Sequence, residues 1–372
     1  MFKKITDLKK DALHDKTVLM RVDFNVPIKD GEIQDSFRIK QVLPTVEYLV
    51  EAGAKVVLMS HLGDNTATLK PVADWLNQFL PVKFSTEVVD TEAVKNLTAG
   101  EVLLLENLRQ HAGEEVGSEA LAEELAGGAD IYINEAFSVS HRLHASVVGV
   151  PKILPSYAGF LFIKEYEELS RVFKASKPFV VVLGGAKFST KMPVIESLVP
   201  LADDIFLGGA LVHILWRKMG YEVGRSLVDE GIKGLEEILK LKNVHLPVDV
   251  IVENVNGEKL EKLPEQVGMQ EVISDAGKQS VDKIVTAISK AQFVLWNGPL
   301  GLVEKGFTGS SRQIAEAVAS SGAYSIAGGG DTVAVLNDLN LVAGIDFVST
   351  AGGAMLEFIA TGTLVGIEAL EN

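Results

Sequence analysis

The sequence predicts an α/β protein of two domains, each a parallel sheet covered by helices on both faces, and three observations carry that expectation. Short apolar runs alternate with segments of helical spacing in two series, one from Thr17 to Asn134 and one from Pro178 onward. Parallel sheets are built from such alternation. Between the series, GFLFIKEYEELSRVFKASK (residues 159–177) has helical spacing and no strand partner in sequence, which suits a connector between domains, although a surface helix of the first domain fits the same pattern. At 372 residues with 47% hydrophobic, the chain is long enough for two buried cores.

In the first series, TVLMRV reads as a buried strand stopped by Asp23, Asn25 and Pro27. A helix follows from Phe37, with Ile39, Leu43, Val46 and Leu49 or Val50 on one face and Gly53 as its stop. KVVLMS is the next strand and HLGDN its loop; a helix near 70–80, the strand VLLLE (102–106), a helix near 118–126 and the strand IYIN (131–134) continue the pattern. Residues 1–150 hold four arginines, Arg21, Arg38, Arg109 and Arg142. Three fall at or just past strand ends, and Arg38 opens the first helix. That edge of an open parallel sheet is where ligands bind. The planar, bidentate cation placed there suits a phosphate or carboxylate. His61, His111, His141 and His144 fall in the same loops.

The second series begins with FVVVL and the loop GGAKFSTK, whose glycines, Lys187 and Lys191, and hydroxyl pair suit a polyphosphate without forming a Walker A sequence. IFLGGALV repeats the strand-then-glycine device, and VDVIVE and FVLWNGPLG supply two further strand ends. In SIAGGGDTVAVL, the glycines Gly328, Gly329 and Gly330 lead through Asp331 and Thr332 into a helix, so bare backbone and a helix N-terminus face one another. Asp331 sits where a helix cap or a metal-bridging carboxylate belongs. VSTAGGAMLEF is the last glycine-bearing strand end. No Gly-x-Gly-x-x-Gly occurs at these turns, which argues against a nicotinamide dehydrogenase.

Charge and composition narrow the class. The net charge of -15 is spread along the chain without a basic block, arguing against nucleic acid or an anionic membrane. The absence of cysteine excludes disulfides, thiol nucleophiles and thiolate metal sites. MFKKITDLKK has no apolar core after it, and no run approaches the roughly 18 apolar residues of a span, so a cytoplasmic protein is expected.

RVDFNVP (21–27), DSFRI (35–39), SHLG (60–63), LLENLR (104–109), HRLHAS (141–146), GGAKFSTK (184–191), WNGPLG (296–301), GGGDT (328–332) and STAGGA (349–354) together resemble, in order and over essentially the whole chain, the phosphoglycerate kinase family. The resemblance implies two Rossmann-like three-layer αβα domains joined by a connector helix. A phosphoglycerate-binding domain would span 1–158, the connector 159–176 and a nucleotide-binding domain 177–358, with a tail at 359–372 returning to the first. It implies a cytoplasmic, monomeric, hinge-bending kinase of glycolysis and gluconeogenesis that moves a phosphoryl group between 1,3-bisphosphoglycerate and MgADP, giving 3-phosphoglycerate and MgATP. ATP or ADP and Mg2+ are the cofactors implied.

Carried onto this sequence, Asp23, Phe24, Asn25, His61, Leu62, Gly63, Arg109 and Arg142 would bind phosphoglycerate, and Arg38 would stabilise the phosphoryl group in flight. Lys187, Lys191 and Asn297 would serve the nucleotide, with Gly184, Gly208, Pro299 and Leu302 as the walls of its adenine pocket and Glu304 on its ribose. Gly328, Gly329, Gly330 and Thr332 would face its phosphates, Asp331 would engage the metal through the nucleotide, and Gly352 and Gly353 would lend amides to the transferring group. Asp64 and Asn65 stand where the family usually has arginine and proline, and Gln110 where phenylalanine is usual. Ala351 replaces a glycine, and SDAGKQS is a faint match to the expected segment. Loss of a charge-assisted bond at Asp64 predicts phosphoglycerate binding weaker by roughly 10- to 100-fold. A divergent relative that binds without turnover, and a kinase of another acyl phosphate, are the competing expectations.

Overall fold

Thr17–Arg21 (β1) is buried at every position, and because strand side chains alternate between faces, both faces of its sheet are covered. The computed structural model describes residues 2–232 and 234–371. The chain divides into two compact units, Met1–Glu167 with Thr363–Asn372, and Glu168–Gly362.

In the first unit β1 is followed by a two-strand hairpin, β2 (Ile28–Lys29) and β3 (Glu32–Ile33), and then by α1 (Phe37–Glu51). Asp35 accepts the Phe37 amide at 2.8 Å and so satisfies one free donor at the start of α1. Gly53, at φ +74°, closes the far end through its N–H to Val50 O. Val42 and Thr45 share the buried face with Ile39, Val46 and Leu49, while Leu43, expected there, is half-buried. The unit continues through β4 (Lys55–Met59), α2 (Lys70–Leu76), β5 (Val82–Phe84), α3 (Thr91–Lys95), β6 (Val102–Leu104), α4 (Glu119–Ala126), β7 (Ile131–Asn134) and β8 (Ser156–Ala158). Its parallel sheet has six strands in the order β5-β6-β4-β1-β7-β8. From β1 the chain crosses to β4 on one side, and from β7 to β8 on the other. The connections therefore part above β1 and β7, the place in an open sheet where a crevice forms.

α5 (Phe160–Ser170) carries the chain onward, ending in a 3-10 turn at Arg171–Lys174, so the expected single connector helix is interrupted. The second unit contains β9 (Phe179–Leu183), α6 (Phe188–Leu198), β10 (Asp204–Leu207), α7 (Leu211–Lys218), α8 (Leu235–Leu239), β11 (Val244–His245), β12 (Val250–Glu253), β13 (Lys259–Lys262) and β14 (Val272–Ala276). It continues with α9 (Lys278–Ile288), β15 (Phe293–Asn297), α10 (Gly309–Ser320), β16 (Tyr324–Gly328), α11 (Gly330–Asp338), β17 (Phe347–Ser349) and α12 (Gly353–Thr361). α13 (Val365–Ala369) belongs to the first unit and is tied there by the Gly366 amide to Ser140 O at 2.7 Å.

The second parallel sheet also has six strands, in the order β11-β10-β9-β15-β16-β17, and its connections part between β9 and β15. VDVIVE is not among them. It forms β12, the centre of an antiparallel sheet of three strands, β13-β12-β14. Its burial alternates, as expected of a strand covered on one face only.

Candidate functional site

In the first unit, the predicted residues meet above the carboxyl ends of β1, β4, β6 and β7. Arg21, the last residue of β1, is fully buried. Its Nε donates to Ser146 Oγ at 2.8 Å, Nη1 to Val22 O, and Nη2 lies 3.3 Å from His61 Nδ1. Behind it the buried Glu114 accepts from Ser146 N at 3.0 Å and Ser146 Oγ at 2.5 Å, and lies 3.9 Å from Arg21. Burial pushes the Glu114 carboxyl up, but His144, Arg21 and Ser146 outweigh it and hold the group below its ordinary range.

A guanidinium has only donors, so His61 Nδ1 accepts from Arg21 and the ring's proton sits on Nε2. Burial, reinforced by the charge of Arg21 and opposed by Asp23, lowers the imidazole to about 3. His61 is therefore neutral, and its 3.9 Å approach to Asp23 is not an ion pair. Asp23 pairs instead with Arg38 Nη1 at 3.0 Å and accepts from Ser138 Oγ at 2.5 Å. Burial raises the Asp23 carboxyl, but Arg38 leads the contacts that hold it low. Asn25 receives the Gly63 amide at 3.0 Å on Oδ1, and Arg38 also reaches its carbonyl at 3.3 Å. Phe24 and Leu62 are buried beneath this layer.

Sequence reasoning did not single out Asn107, Ser138 or Glu114. Asn107 clamps the loop after β4, accepting from Leu62 N at 3.0 Å and donating to Leu62 O, Asp64 O and Ala67 O at 2.8, 2.8 and 2.9 Å. Its place inside LLENLR was a signal; for Glu114 and Ser138 there was none. Arg109 bonds Gly63 O and lies 3.3 Å from Glu115, while Arg142 Nε meets His141 Nε2 at 3.3 Å. His111 stands apart from this group and accepts the Gly113 amide at 3.0 Å. Asp64 is exposed and turned on its own loop, accepting from Thr66 N at 2.8 Å and Thr66 Oγ1 at 2.6 Å, which hold its carboxyl below the ordinary range.

In the second unit, the glycines bring bare backbone together. A Cβ on Gly184 would lie 1.9 Å from Pro299 O, and one on Gly298 would lie 2.4 Å from Gly184 O. Gly208 is held equally close by Leu300, with 2.4 Å from the ideal Cβ to Cδ2. Contrary to the loop expected at GGAKFSTK, α6 begins at Phe188 and places Lys191 in its first turns. Lys187 is the exposed N-cap, and Lys191 is buried, with Nζ bonded to Asn297 Oδ1 and 3.3 Å from Asn297 O. Burial, opposed by Asp331, lowers the Lys191 ammonium to about 8. Ser189 is held by Asp229, which accepts its N–H at 2.9 Å and its hydroxyl at 2.8 Å.

Four helices start where strands of this sheet end: α6 after β9, α7 after β10, α11 after β16 and α12 after β17. Their free amides and positive dipole ends share one edge. Gly329 (φ +96°), not Asp331, caps α11, and Gly352 (φ +55°) caps α12. Asp331 is exposed in the first turn of α11. Thr332 is fully buried with its Oγ1 accepting the Gly298 amide at 2.8 Å, so its hydroxyl oxygen is engaged in holding the turn. Gly328 packs against Met355, and Gly330 and Gly353 have open space at the Cβ position. Pro299 is buried, Leu302 half-buried and Glu304 exposed on a 3-10 turn, Val303–Lys305. Among the described residues, no group of three or more His, Asp or Glu forms a metal cage, and no helix is long and apolar enough to cross a membrane.

A family model described as phosphoglycerate kinase matches residues 5–362. A phosphoglycerate kinase of Pseudothermotoga lettingae is 42% identical over 394 aligned residues, covering 100% of this chain and 99% of the relative. One of Coprothermobacter proteolyticus is 39% identical over 388, covering 99% of each. The solved structure of phosphoglycerate kinase from Coxiella burnetii superposes with a TM-score of 0.84 at 35% identity, covering 100% of this chain and 98% of that one. With its motif residues gathered at the diverging edges of two parallel sheets and full-length relatives of one kind, the chain belongs to the phosphoglycerate kinase family.

Proposed function

We propose that this kinase performs its family's reaction, reversible phosphoryl transfer between 1,3-bisphosphoglycerate and MgADP giving 3-phosphoglycerate and MgATP, with one substrate on each unit. The observation that carries the assignment is the segregation of chemistry: guanidinium groups and a neutral imidazole above β1 and β7, bare amides and an ammonium above β9 and β15.

Phosphoryl transfer asks for positioning and charge stabilisation rather than covalent help. On the first unit, Arg109, Arg142 and His61 Nε2–H supply donors for the anionic substrate, with Asp23, Phe24, Asn25, Leu62 and Gly63 forming its bed. Arg38, anchored on Asp23, offers its remaining donors to the phosphoryl group. On the second, Lys187 and Lys191 and the amides of Gly329, Gly330, Gly352 and Gly353 meet the nucleotide phosphates, while Asn297 and Thr332 hold that edge in shape. Gly184, Gly208, Pro299 and Leu302 wall the base, and Glu304 takes the ribose. Asp331, exposed and without a side-chain hydrogen bond among the described residues, fits a magnesium ion that arrives on the nucleotide, since such ions use one or two carboxylates plus phosphates. The ion would neutralise charge on the phosphates. We place the enzyme in the cytoplasm as a monomer on the strength of the family.

The test is ATP-dependent phosphorylation of 3-phosphoglycerate by the purified protein, read through a coupled assay. Turnover is expected. A folded protein that binds both substrates and turns neither over would instead be a binding relative.

A further inference from the structure

Behind the guanidinium of Arg21 lies a carboxylate closed off from solvent. Glu114 and Arg21 are both fully buried. Burial strips water from the guanidinium, and Glu114 first and Asp23 second supply the negative charge that offsets the loss. Ser146 stands between Arg21 and Glu114, and its own backbone is fixed on both sides. Its N–H donates to Glu114 Oε2 at 3.0 Å, and its carbonyl accepts from the buried Tyr132 hydroxyl at 2.9 Å. His144 Nδ1 approaches Glu114 Oε1 to 3.6 Å.

The protons of this group can run only one way. Arg21 Nε donates to Ser146 Oγ at 2.8 Å, so the hydroxyl turns its single proton on Glu114 Oε1, at 2.5 Å. The same guanidinium donates from Nη2 to His61 Nδ1 at 3.3 Å, which leaves the imidazole proton on Nε2. A directed chain therefore leads from a buried anion through Ser146 and Arg21 to the ring above the substrate bed, and bonds in such a chain polarise one another. Asp23 Oδ1 stands 3.9 Å from the same Nδ1. A guanidinium drawn off His61 would let Nδ1 take the proton and turn it on Asp23, leaving Nε2 a bare lone pair.

We propose that Glu114 is a positioning residue for phosphoglycerate binding: through Ser146 and Arg21 it holds His61 in the tautomer that presents an N–H to the anionic substrate. This rests on the assignment of phosphoglycerate to the first unit. With Glu114 neutralised, Asp23 is the carboxylate left among the charges acting on Arg21, and it draws the guanidinium away from the ring. The substrate then meets a lone pair where it needs a donor.

The experiment pairs nitrogen-15 spectra of the His61 ring, taken without substrate, with steady-state kinetics on the full-length protein and its Glu114→Gln variant. That variant keeps the shape and an acceptor for Ser146 but loses the charge. The parent is expected to show the Nε2–H form and the variant to populate Nδ1–H, with KM for 3-phosphoglycerate raised about tenfold and kcat within about threefold. On a His61→Ala background, Glu114→Gln is expected to change KM by less than about twofold, because both residues act through one ring. A ring that stays Nε2–H in a folded Glu114→Gln overturns the proposal, as does a rise in KM that is equal on both backgrounds. Should Glu114→Gln fail to fold by circular dichroism, Ser146→Ala, which cuts the chain, is read by the same criteria. A parent that turns over no 3-phosphoglycerate removes the substrate assignment instead, and the ring spectra still decide whether Glu114 directs His61.

Discussion

Arg21 and His61 show how one buried cation sets the chemistry of its neighbour. Because Nη2 of Arg21 faces His61 Nδ1, the ring presents a neutral N–H from Nε2, suited to an anion at any physiological pH. Nitrogen-15 spectra of the imidazole are expected to show the Nε2–H form and no titration between about pH 5 and 8; a midpoint near the free-histidine value would sink this account. The sign for stability follows. His61 holds fewer protons folded than unfolded, so its contribution is present at neutral pH and is lost as pH falls from the unfolded value of 6.5 towards about 3. Lys191 gives the opposite limb. With its ammonium lowered to about 8, kcat/KM for MgATP is expected to fall as pH rises through that value, since this ratio reports the free enzyme. The unfolded chain keeps the proton longer, so stability rises over the same range. Lys191→Arg stays charged and should abolish the kinetic limb, and a profile flat to about pH 10 in the parent would refute it. Asp64, folded onto Thr66, has no ion-pair partner among the described residues. Asp64→Arg is expected to lower KM for 3-phosphoglycerate about tenfold with kcat within about twofold, while an unchanged KM would mean that position 64 faces away from the substrate.

At the scale of elements, strand ends and helix starts decide where side chains can act. β1, β4, β7, β9, β15 and β16 were legible in sequence because each is a run of apolar residues closed by a polar or glycine stop. β5 and β11 were not, being three and two residues long, the first of mixed burial and the second half-buried throughout. VDVIVE was read as one more strand of the parallel sheet because an apolar run does not announce its partners, and pairing is fixed by contacts distant in sequence. GGAKFSTK was read as loop throughout because its glycines and polar residues mask a helix start that is fixed by packing of Phe188 and Lys191. The candidate site residues came from motifs that resemble the family's, whereas Glu114 and Ser138 make their contacts only across folded distance. Gly184→Ala tests the close approach of β9 and the β15 turn. Its Cβ would strike the Pro299 carbonyl, and overpacking against backbone is expected to cost about 3 kcal/mol, seen as a drop in Tm of roughly 6–12 °C. A loss below about 2 °C would show that the turn yields.

For the whole molecule, the two sheets repeat one solution with different chemistry: β1 and β7 part over guanidinium groups, β9 and β15 over amides. Hydrogen exchange with each substrate alone should separate them. 3-Phosphoglycerate is expected to protect residues 23–25, 60–67 and 107–109, and MgADP residues 184–191, 297–304 and 328–332. Protection of both sets by either ligand alone would contradict the division of labour. The convergence of Gly184, Gly208 and Gly298 carries a last consequence, for how such a protein diversifies. The floor they form is main chain pressed on main chain and side chain, so in a saturation library nearly every change there should be purged. A half-buried side-chain wall such as Leu302 would tolerate many. Nucleotide preference can then drift through the walls over generations while the floor beneath stays invariant.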